Sequence, residues 1–374
     1  MSPTHPEAPE ARRARALGLP LAGTPGPLGL ITDVPGVAVG LATLVDPERG
    51  VRTGVTAILP RPADHLLTPW WAGIATLNGN GEMTGSHWIQ DAGWSQGPIL
   101  LTNTGSVGIA HHALVGWMAD RFADQVQAEH FWLLPVVAET YDGVLNDIMG
   151  RHVGEADVRA ALDNAVAGPF PLGSVGGGTG MIAYEMKGGT GSASRVLDIA
   201  GGPYMLGVLV QANHGRLDQF QLAGVPVGRL LGGPRIWQAG EQDREQGSVI
   251  VVIATDAPLL PHQLHRVARR AGLGIGRSGA FGGNSSGDIF LALSTASPTP
   301  MPPPQPLAVQ SLRCLTDPLL DPVYQAVVDA TEEAVLDAML LSDPTPTFRP
   351  KGRVVPALDG QTLLDILHRH RAGS

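Results

Sequence analysis

The chain has 374 residues, of which 43% are apolar and only 5% aromatic, so Val, Leu, Ile and Ala must build its core. The formal net charge of −9, without a basic cluster, argues against nucleic acid or an anionic membrane as a partner. No membrane-spanning stretch and no signal peptide are evident, and the single cysteine, Cys314, excludes an internal disulfide, so we expect a soluble protein in the cytoplasm.

The chain divides into a short arm and one long, strand-rich region. Residues 1–27 are polar and rich in proline and alanine, which indicates a flexible or loosely docked N-terminal arm. Apolar runs predict strands at Leu28–Thr32, Val37–Leu41, Val55–Leu59, Phe131–Val137, Val249–Thr255 and Asp288–Leu293. Helical spacing predicts helices at Ser106–Phe122, Glu155–Val166, Leu259–Ala271, Val323–Leu341 and Thr362–Arg371. Strands and helices do not alternate regularly, so an α+β layered architecture is favoured over a doubly wound sheet.

The first candidate for a nucleophile is Ser248. A charged tract, residues 241–246, stops at Gly247-Ser248, and an apolar strand begins at the next residue. Cleavage before Ser248 would place its hydroxyl beside a new α-amine, whose pKa of about 7.7–8.0 lets it act as a base near pH 7. The Gly-Ser dipeptide alone predicts only a turn, since it also occurs at Ser86, Ser106, Ser174, Ser192 and Ser374.

Five loops rich in glycine and short polar side chains lie between the predicted strands. They are Asn78–Gly85, Leu101–Gly105, Gly173–Gly180, Gln211–Gly215 and Gly282–Asp288. Any one of them is most often a turn, but five together favour a convergent polar site for a small ligand. None carries the pattern of a P-loop or a dinucleotide fingerprint. Asn213 is a candidate oxyanion donor, a role worth about 2.7–4 kcal/mol.

The segment Gly283–Gly287 formally matches the G-x-S-x-G elbow of α/β hydrolases. That motif needs a strand before it and a helix after it, whereas here a glycine-rich loop precedes it and a strand follows, so the elbow is not favoured. Ser286 and Asp288 are two residues apart at the start of a strand. They should point to one face, where they could orient another group by hydrogen bonding.

Histidine pairs are the only local metal-ligand patterns. They occur at His111-His112, His262/His265 and His368/His370, and none carries the acid of a zinc signature. We therefore expect neither a metal nor another cofactor.

Several motifs, taken in order, resemble those of one family. They are Ile31–Val37, Asn78–Gly85, Glu139–Gly143, Gly173–Gly180, Gly247-Ser248 and Ser285–Asp288. This order is similar to that of the L-aminopeptidase/D-esterase (D-amidase) family, which includes the β-peptidyl aminopeptidases, over about residues 28–370. The resemblance implies a four-layer αββα sandwich like that of N-terminal nucleophile hydrolases, with different connectivity.

The resemblance also implies roles for six residues. By motif position these are Ser248 as the nucleophile, Asn213 as the oxyanion-hole amide, Tyr141 as a site tyrosine, Ser286 as the serine that orients the amine, Asp288 at a position where several members carry glutamate, and Glu139 as an acid that binds substrate.

The family matures by cutting its own chain before the nucleophile. The resemblance thus implies one catalytic domain, residues 28–374, in a chain cut between Gly247 and Ser248 into 1–247 and 248–374 and assembled as a homotetramer. Its substrates would be small peptides, amides or esters with a free N-terminal L-α, D-Ala-type or β-amino residue. Two alternatives stay open: an acyltransferase on the same scaffold, and an uncleaved, non-catalytic relative that binds a small ligand.

Overall fold

The computed structural model describes residues 9–128, 132–200, 202–232, 236–237, 247–296, 309 and 311–372. The charged tract before Ser248 and the proline-rich segment at residues 298–306, which the sequence predicts to be a rigid connector, lie outside the described residues. No helix among those that are described is both long and apolar enough to cross a membrane.

The strands and helices of the described residues are as follows in chain order. The strands are β1 (Ala38–Asp46), β2 (Val51–Leu59), β3 (Trp70–Gly79), β4 (Trp94–Ser95), β5 (Ile99–Asn103), β6 (Val136–Thr140), β7 (Ile182–Ala183), β8 (Met186–Lys187), β9 (Gly189–Leu197), β10 (Tyr204–Asn213), β11 (Ser248–Thr255), β12 (Gly287–Ser294), β13 (Thr345–Pro346) and β14 (Val354–Val355). The helices are α1 (Ser86–Ala92), α2 (Val107–Arg121), α3 (Ala123–Ala128), α4 (Glu155–Asp163), α5 (Val227–Leu230), α6 (Pro261–Arg277), α7 (Leu320–Leu340) and α8 (Gly360–Ala372).

Two sheets stack face to face between two layers of helices. The first sheet has the order β1-β2-β5-β6 and the second the order β4-β3-β12-β11-β10-β9. Apolar side chains of both inner faces form one core, which includes Val39, Ile58, Leu101, Leu209, Ile250 and Leu291. Helices α2 and α4 cover the outer face of the first sheet, and α6 and α7 that of the second. The predicted α+β, four-layer αββα sandwich is therefore confirmed.

Several predicted elements differ from the structure in their bounds, as β1, β2 and α6 do by extending further, and for three others the reason for the difference is identifiable. The strand predicted at Leu28–Thr32 is wrong, because the Asp33 carboxylate accepts from the amides of Leu28 and Leu30 and closes a turn there. Strand β6 begins only after Pro135, which has no amide to donate to a ladder. Helix α4 ends before Val166, because that residue instead bridges to β1.

The N-terminal arm, which we expected to be flexible or loosely docked, is held against α7 over its described part. The side chain of Arg13 binds Asp337 at 2.8 Å, and that of Arg15 binds Glu333 at 2.9 Å. Both carboxylates are almost fully buried, and Glu333 also binds Arg195 of β9 at 2.7 Å. Composition alone did not indicate this docking, because the partner acids lie far along the chain.

This network predicts a large effect of the Glu333→Gln substitution on stability. The substitution leaves the Arg195 guanidinium buried without its carboxylate, so the free energy of unfolding should fall by about 3–5 kcal/mol. Chemical denaturation measures this. Asp343→Asn is the matched control, because Asp343 pairs with Arg12 at the surface and should change the same quantity by about 0–1 kcal/mol. Equal effects of the two substitutions would contradict the role of the buried network.

Candidate active site

Ser248 lies in the middle of the second sheet, at the end of a strand. It is the first residue of β11, paired with Asn213, the last residue of β10, and with Gly287, the first residue of β12. Only 5% of its surface is exposed, and its Oγ accepts a hydrogen bond of 3.3 Å from the Gly287 amide. Pairing on both sides therefore fixes this hydroxyl on a rigid element.

The residue before Ser248 is glycine for a steric reason. A Cβ at position 247 would lie 2.1 Å from the carbonyl oxygen of Asn213 and 2.8 Å from the Cα of His214. Real Cβ atoms do not approach other atoms so closely, and only glycine lets the chain pass here. The Gly247–Ser248 peptide is thus packed directly against the end of β10.

The side chain of Asn213 is oriented by two backbone groups. Its Oδ1 accepts from the Ile182 amide at 2.8 Å, and its Nδ2 donates to the Tyr141 carbonyl at 2.9 Å. A carboxamide nitrogen has two N–H donors. The second N–H has no partner in the described part of the chain, which leaves it available to a ligand.

Ser286 and Asp288 share one face, as their spacing predicts. The buried Ser286 hydroxyl donates to Asp288 Oδ1 at 2.6 Å. Asn78 donates to Asp288 Oδ2 at 3.1 Å and reaches it through a bulge at Leu77, where the β3–β12 register shifts by one residue. The Asp288 carboxylate therefore accepts hydrogen bonds on both oxygens, and the Ser286 hydroxyl uses its proton in one of them.

Glu139, the residue before the end of β6, has a buried carboxylate. Its Oε1 accepts from the Glu82 amide at 3.0 Å, and its Oε2 accepts a short hydrogen bond from the Thr104 hydroxyl. Burial raises the pKa of Glu139 above its usual value, although these two hydrogen bonds oppose the shift. Gly81 separates this carboxylate from β12, since a Cβ there would lie 3.3 Å from both Glu139 Oε1 and Gly287 Cα.

Tyr141 approaches the site through its backbone. Its carbonyl binds Asn213, whereas its half-exposed side chain lies over Gly143, where a Cβ would come within 2.2 Å of the tyrosine hydroxyl. That hydroxyl makes no hydrogen bond to the other predicted site residues among those described. Ser248, Asn213, Ser286, Asp288 and Glu139 are thus brought together, and the Tyr141 hydroxyl lies to one side.

Four of the five polar loops meet around the end of the second sheet at which Ser248 lies. They contribute Asn78 and the Glu82 amide, Thr104, Asn213, and the Ser286–Asp288 pair. The loop Gly173–Gly180 does not join the other four, so the convergence of all five loops is not observed. The Gly177 amide bonds the Thr56 hydroxyl at 3.0 Å, and a Cβ at Gly177 would lie 2.1 Å from Gln211 Oε1. The loop is packed between the sheets.

Asn78 and Thr104 are the functional candidates that sequence reasoning missed. Both stand in polar loops that the sequence singled out, but their partners, Asp288 and Glu139, lie on other strands. The polar composition of these loops could have indicated Asn78 and Thr104 as site residues. It could not have indicated their partners, because those depend on how the strands are ordered in the sheets.

The titratable group next to Asn213 is His214, whose ring is buried and stacks edge-on against Tyr184 at 5.2 Å. Burial lowers the pKa of His214 to about 4, so the ring is neutral at pH 7. Within the described ranges, no three His, Cys, Asp or Glu side chains are grouped to hold a metal ion.

A cleft of about 440 Å³ borders the site. Tyr141 and Thr104 line it, and the same two residues bind Asn213 and Glu139 respectively. The cleft therefore opens beside the candidate catalytic groups.

Comparison with known proteins identifies the family. The model of peptidase family S58 matches residues 29–353. The chain belongs to peptidase family S58. This confirms the family expected from the motifs, and the protein is accordingly a hydrolase of the peptidase class.

Characterised relatives of this S58 peptidase are aminopeptidases. It is 44% identical to the β-peptidyl aminopeptidase BapA of Sphingosinicella microcystinivorans, over 97% of this chain and 93% of the relative. The structure of L-aminopeptidase D-Ala-esterase/amidase from Ochrobactrum anthropi, a prototype for the serine aminopeptidases and a variant of the Ntn hydrolase fold, is similar with a TM-score of 0.88. That protein is 49% identical, with 96% of this chain and 99% of the other covered. A β-aminopeptidase from Burkholderia sp. has a TM-score of 0.87 at 42% identity, with 96% and 98% covered.

The Glu139 contacts predict a titration shift in the Thr104→Val variant. Removing the hydroxyl removes a hydrogen bond that favours the carboxylate, so the pKa of Glu139 should rise further. Carboxyl-¹³C NMR of glutamate-labelled protein measures it, with the signal assigned from Glu139→Gln. In the control Thr345→Val, which loses only a bond to the Asp343 carbonyl, the pKa should not move. An unchanged or lower pKa in Thr104→Val would count against the hydrogen bond.

Proposed function

We propose that this protein is a self-processing serine aminopeptidase/amidase that works through an N-terminal serine. The observation that carries the proposal is the position of Ser248 at the first residue of a central strand, with Asn213 and Gly287 beside it. A nucleophile held there needs a base within reach, and the α-amine of Ser248 itself, released by cleavage, is the nearest possible one.

Maturation begins with the Ser248 hydroxyl attacking the carbonyl carbon of Gly247. The acyl group moves from nitrogen to oxygen, the C–N bond breaks, and water hydrolyses the resulting ester. The products are the Gly247 carboxylate on fragment 1–247 and the α-amine of Ser248 on fragment 248–374. The tight packing of Gly247 against the backbone of Asn213 and His214 supports this step, because it fixes the scissile peptide beside the residue whose side-chain amide is proposed to stabilise the oxyanion.

Turnover uses the same groups. The neutral α-amine takes the proton of the Ser248 hydroxyl, which attacks the substrate carbonyl. The free N–H of Asn213 stabilises the oxyanion, the protonated amine gives its proton to the leaving group, and water releases the acyl-enzyme. Since Ser286 donates its own proton to Asp288, its oxygen is left as an acceptor that can orient the amine.

The substrate carries a free amino terminus. Its ammonium pairs with the Glu139 or the Asp288 carboxylate, which restricts cleavage to the first residue of the chain. The names of the relatives support small peptides, amides or esters that begin with an L-α, D-Ala-type or β-amino residue. We further propose a homotetramer of cleaved pairs without a cofactor. The exposed, unpaired Cys314 supports a reducing, cytoplasmic setting.

An acyltransferase on the same scaffold is the alternative from another class. It would pass the acyl group from Ser248 to an amine instead of water. Product analysis with and without an added amine acceptor separates the two, because a hydrolase forms mainly the free acid in both.

The proposed self-cleavage predicts the behaviour of the Ser248→Ala variant. Without the hydroxyl, no acyl shift can occur, so the variant should remain one chain and be inactive. The wild type should give two species whose masses add up to the chain plus one water. Intact-mass spectrometry decides, with Ser174→Ala as a control that keeps normal cleavage although it also follows a glycine. An active, uncut Ser248→Ala variant would refute the assignment, and an uncut wild type would favour the non-catalytic relative.

The proposed oxyanion role of Asn213 predicts a loss of turnover in Asn213→Ala. Loss of an oxyanion donor should lower kcat by about 10²–10³ with a small effect on KM. Rates are divided by the concentration of cleaved enzyme. The control is Asn164→Ala, which changes an exposed residue after α4. A loss of kcat of less than tenfold would remove Asn213 from this role.

A further inference from the structure

The cleft beside the site carries features that the proposed reaction does not use. It is formed by the chain after β5, by the segment that follows β6 and by residues 348–349, so both proposed fragments contribute to it. A volume of about 440 Å³ is within the range of small-molecule sites. Its lining includes the apolar residues Ile148, Met149 and Phe348, of which Met149 is 79% exposed.

Two unpaired arginines line this cleft. Arg151 and Arg349 have exposed side chains, and neither forms an ion pair with any acid among the described residues. The guanidinium of Arg349 lies 5.0 Å from the ring centroid of Phe348. Asp147 is the one carboxylate in the lining, and the buried acids Glu139 and Asp142 lie behind it on Thr104 and Asn146, so the two arginines are the cationic groups that the lining itself presents.

The backbone at Arg151 fixes where this side chain leaves the chain. Its φ of 49° lies in the left-handed region, which glycine or asparagine would occupy at lower cost. The residue ends a short 3₁₀ helix at Ile148–Gly150, and its amide donates to the Ile148 carbonyl at 3.4 Å.

We propose that this cleft binds a substrate carboxylate through Arg151 and Arg349, so that the preferred substrates carry a carboxylate close to the scissile bond as well as a free amino terminus. The inference rests on the proposed function. An acid of the site, Glu139 or Asp288, pairs with the ammonium of the peptide, and the arginines pair with a carboxylate close to the scissile bond. Guanidinium groups suit this task because they bind carboxylates with two parallel hydrogen bonds.

The carboxylate has two possible sources. It is either the C-terminal carboxylate of the leaving group or the side-chain carboxylate of an acidic first residue. Two substrate pairs separate them: Ala-Leu against Ala-Leu-amide, and Asp-p-nitroanilide against Asn-p-nitroanilide. Within each pair, the members differ by one negative charge and little in size.

The experiment compares kcat/KM for these pairs in the wild type and in the Arg151→Gln/Arg349→Gln double variant. The wild type should prefer the charged member of one pair, and the double variant should lose at least about tenfold on that member, mainly through KM. Ala-p-nitroanilide, which lacks a carboxylate, should be hydrolysed at an unchanged rate by both. Arg269→Gln, at an exposed arginine on α6 that forms no ion pair within the described ranges, should retain the preference.

A preference within the first pair assigns the C-terminal carboxylate, and one within the second pair assigns the side chain. No preference in either pair, or a preference that survives in the double variant, overturns the carboxylate site while Ala-p-nitroanilide hydrolysis leaves the proposed function intact. If the wild type hydrolyses none of the five substrates, the proposed function fails and this inference fails with it.

Discussion

The site depends on one interaction, the pairing of β11 in the middle of the second sheet. Ser248 is held between Asn213 and Gly287, so its hydroxyl and the peptide bond before it cannot move away from the loops around them. Because Gly247 is packed against the end of β10, the same pairing that fixes the Ser248 hydroxyl also fixes the peptide bond before it. In the proposed function, one strand position serves both maturation and turnover.

The same arrangement explains why scission at this point would not separate the products. Strands β11 and β12 belong to fragment 248–374, but they lie between β10 and β3 of fragment 1–247. On the far face, the buried acids Glu333 and Asp337 of α7 bind arginines from the other fragment. The cleft is also shared, since Tyr141 and Phe348 come from opposite sides of the cut. Cleavage would therefore free an amine without dismantling the site.

Local pattern predicted the layered fold, the strand Val249–Thr255 (one residue shorter than β11) and the shared face of Ser286 and Asp288, because each depends on periodicity or on a spacing of two. The polar loops suggested Asn213 as an oxyanion donor, whereas the roles of Tyr141 and Glu139 came from the motif resemblance. Asn78 lies in a polar loop that the sequence singled out, but its pairing with Asp288 could not be predicted, since it depends on a bulge and on an order of strands that a single sequence does not encode locally. The turn at Asp33 was mispredicted for a local reason. The apolar run before it predicts a strand, but hydrogen bonds from its amides to the Asp33 carboxylate close a turn instead.

The most direct measurement is the position of the acyl group during turnover. Active enzyme is mixed with a slowly deacylating ester and quenched in acid, and the adduct is located by fragmentation in a mass spectrometer. The proposed mechanism predicts one acyl group on fragment 248–374, at its first residue, Ser248. An acyl group on an uncut chain, or on any other residue, would contradict it.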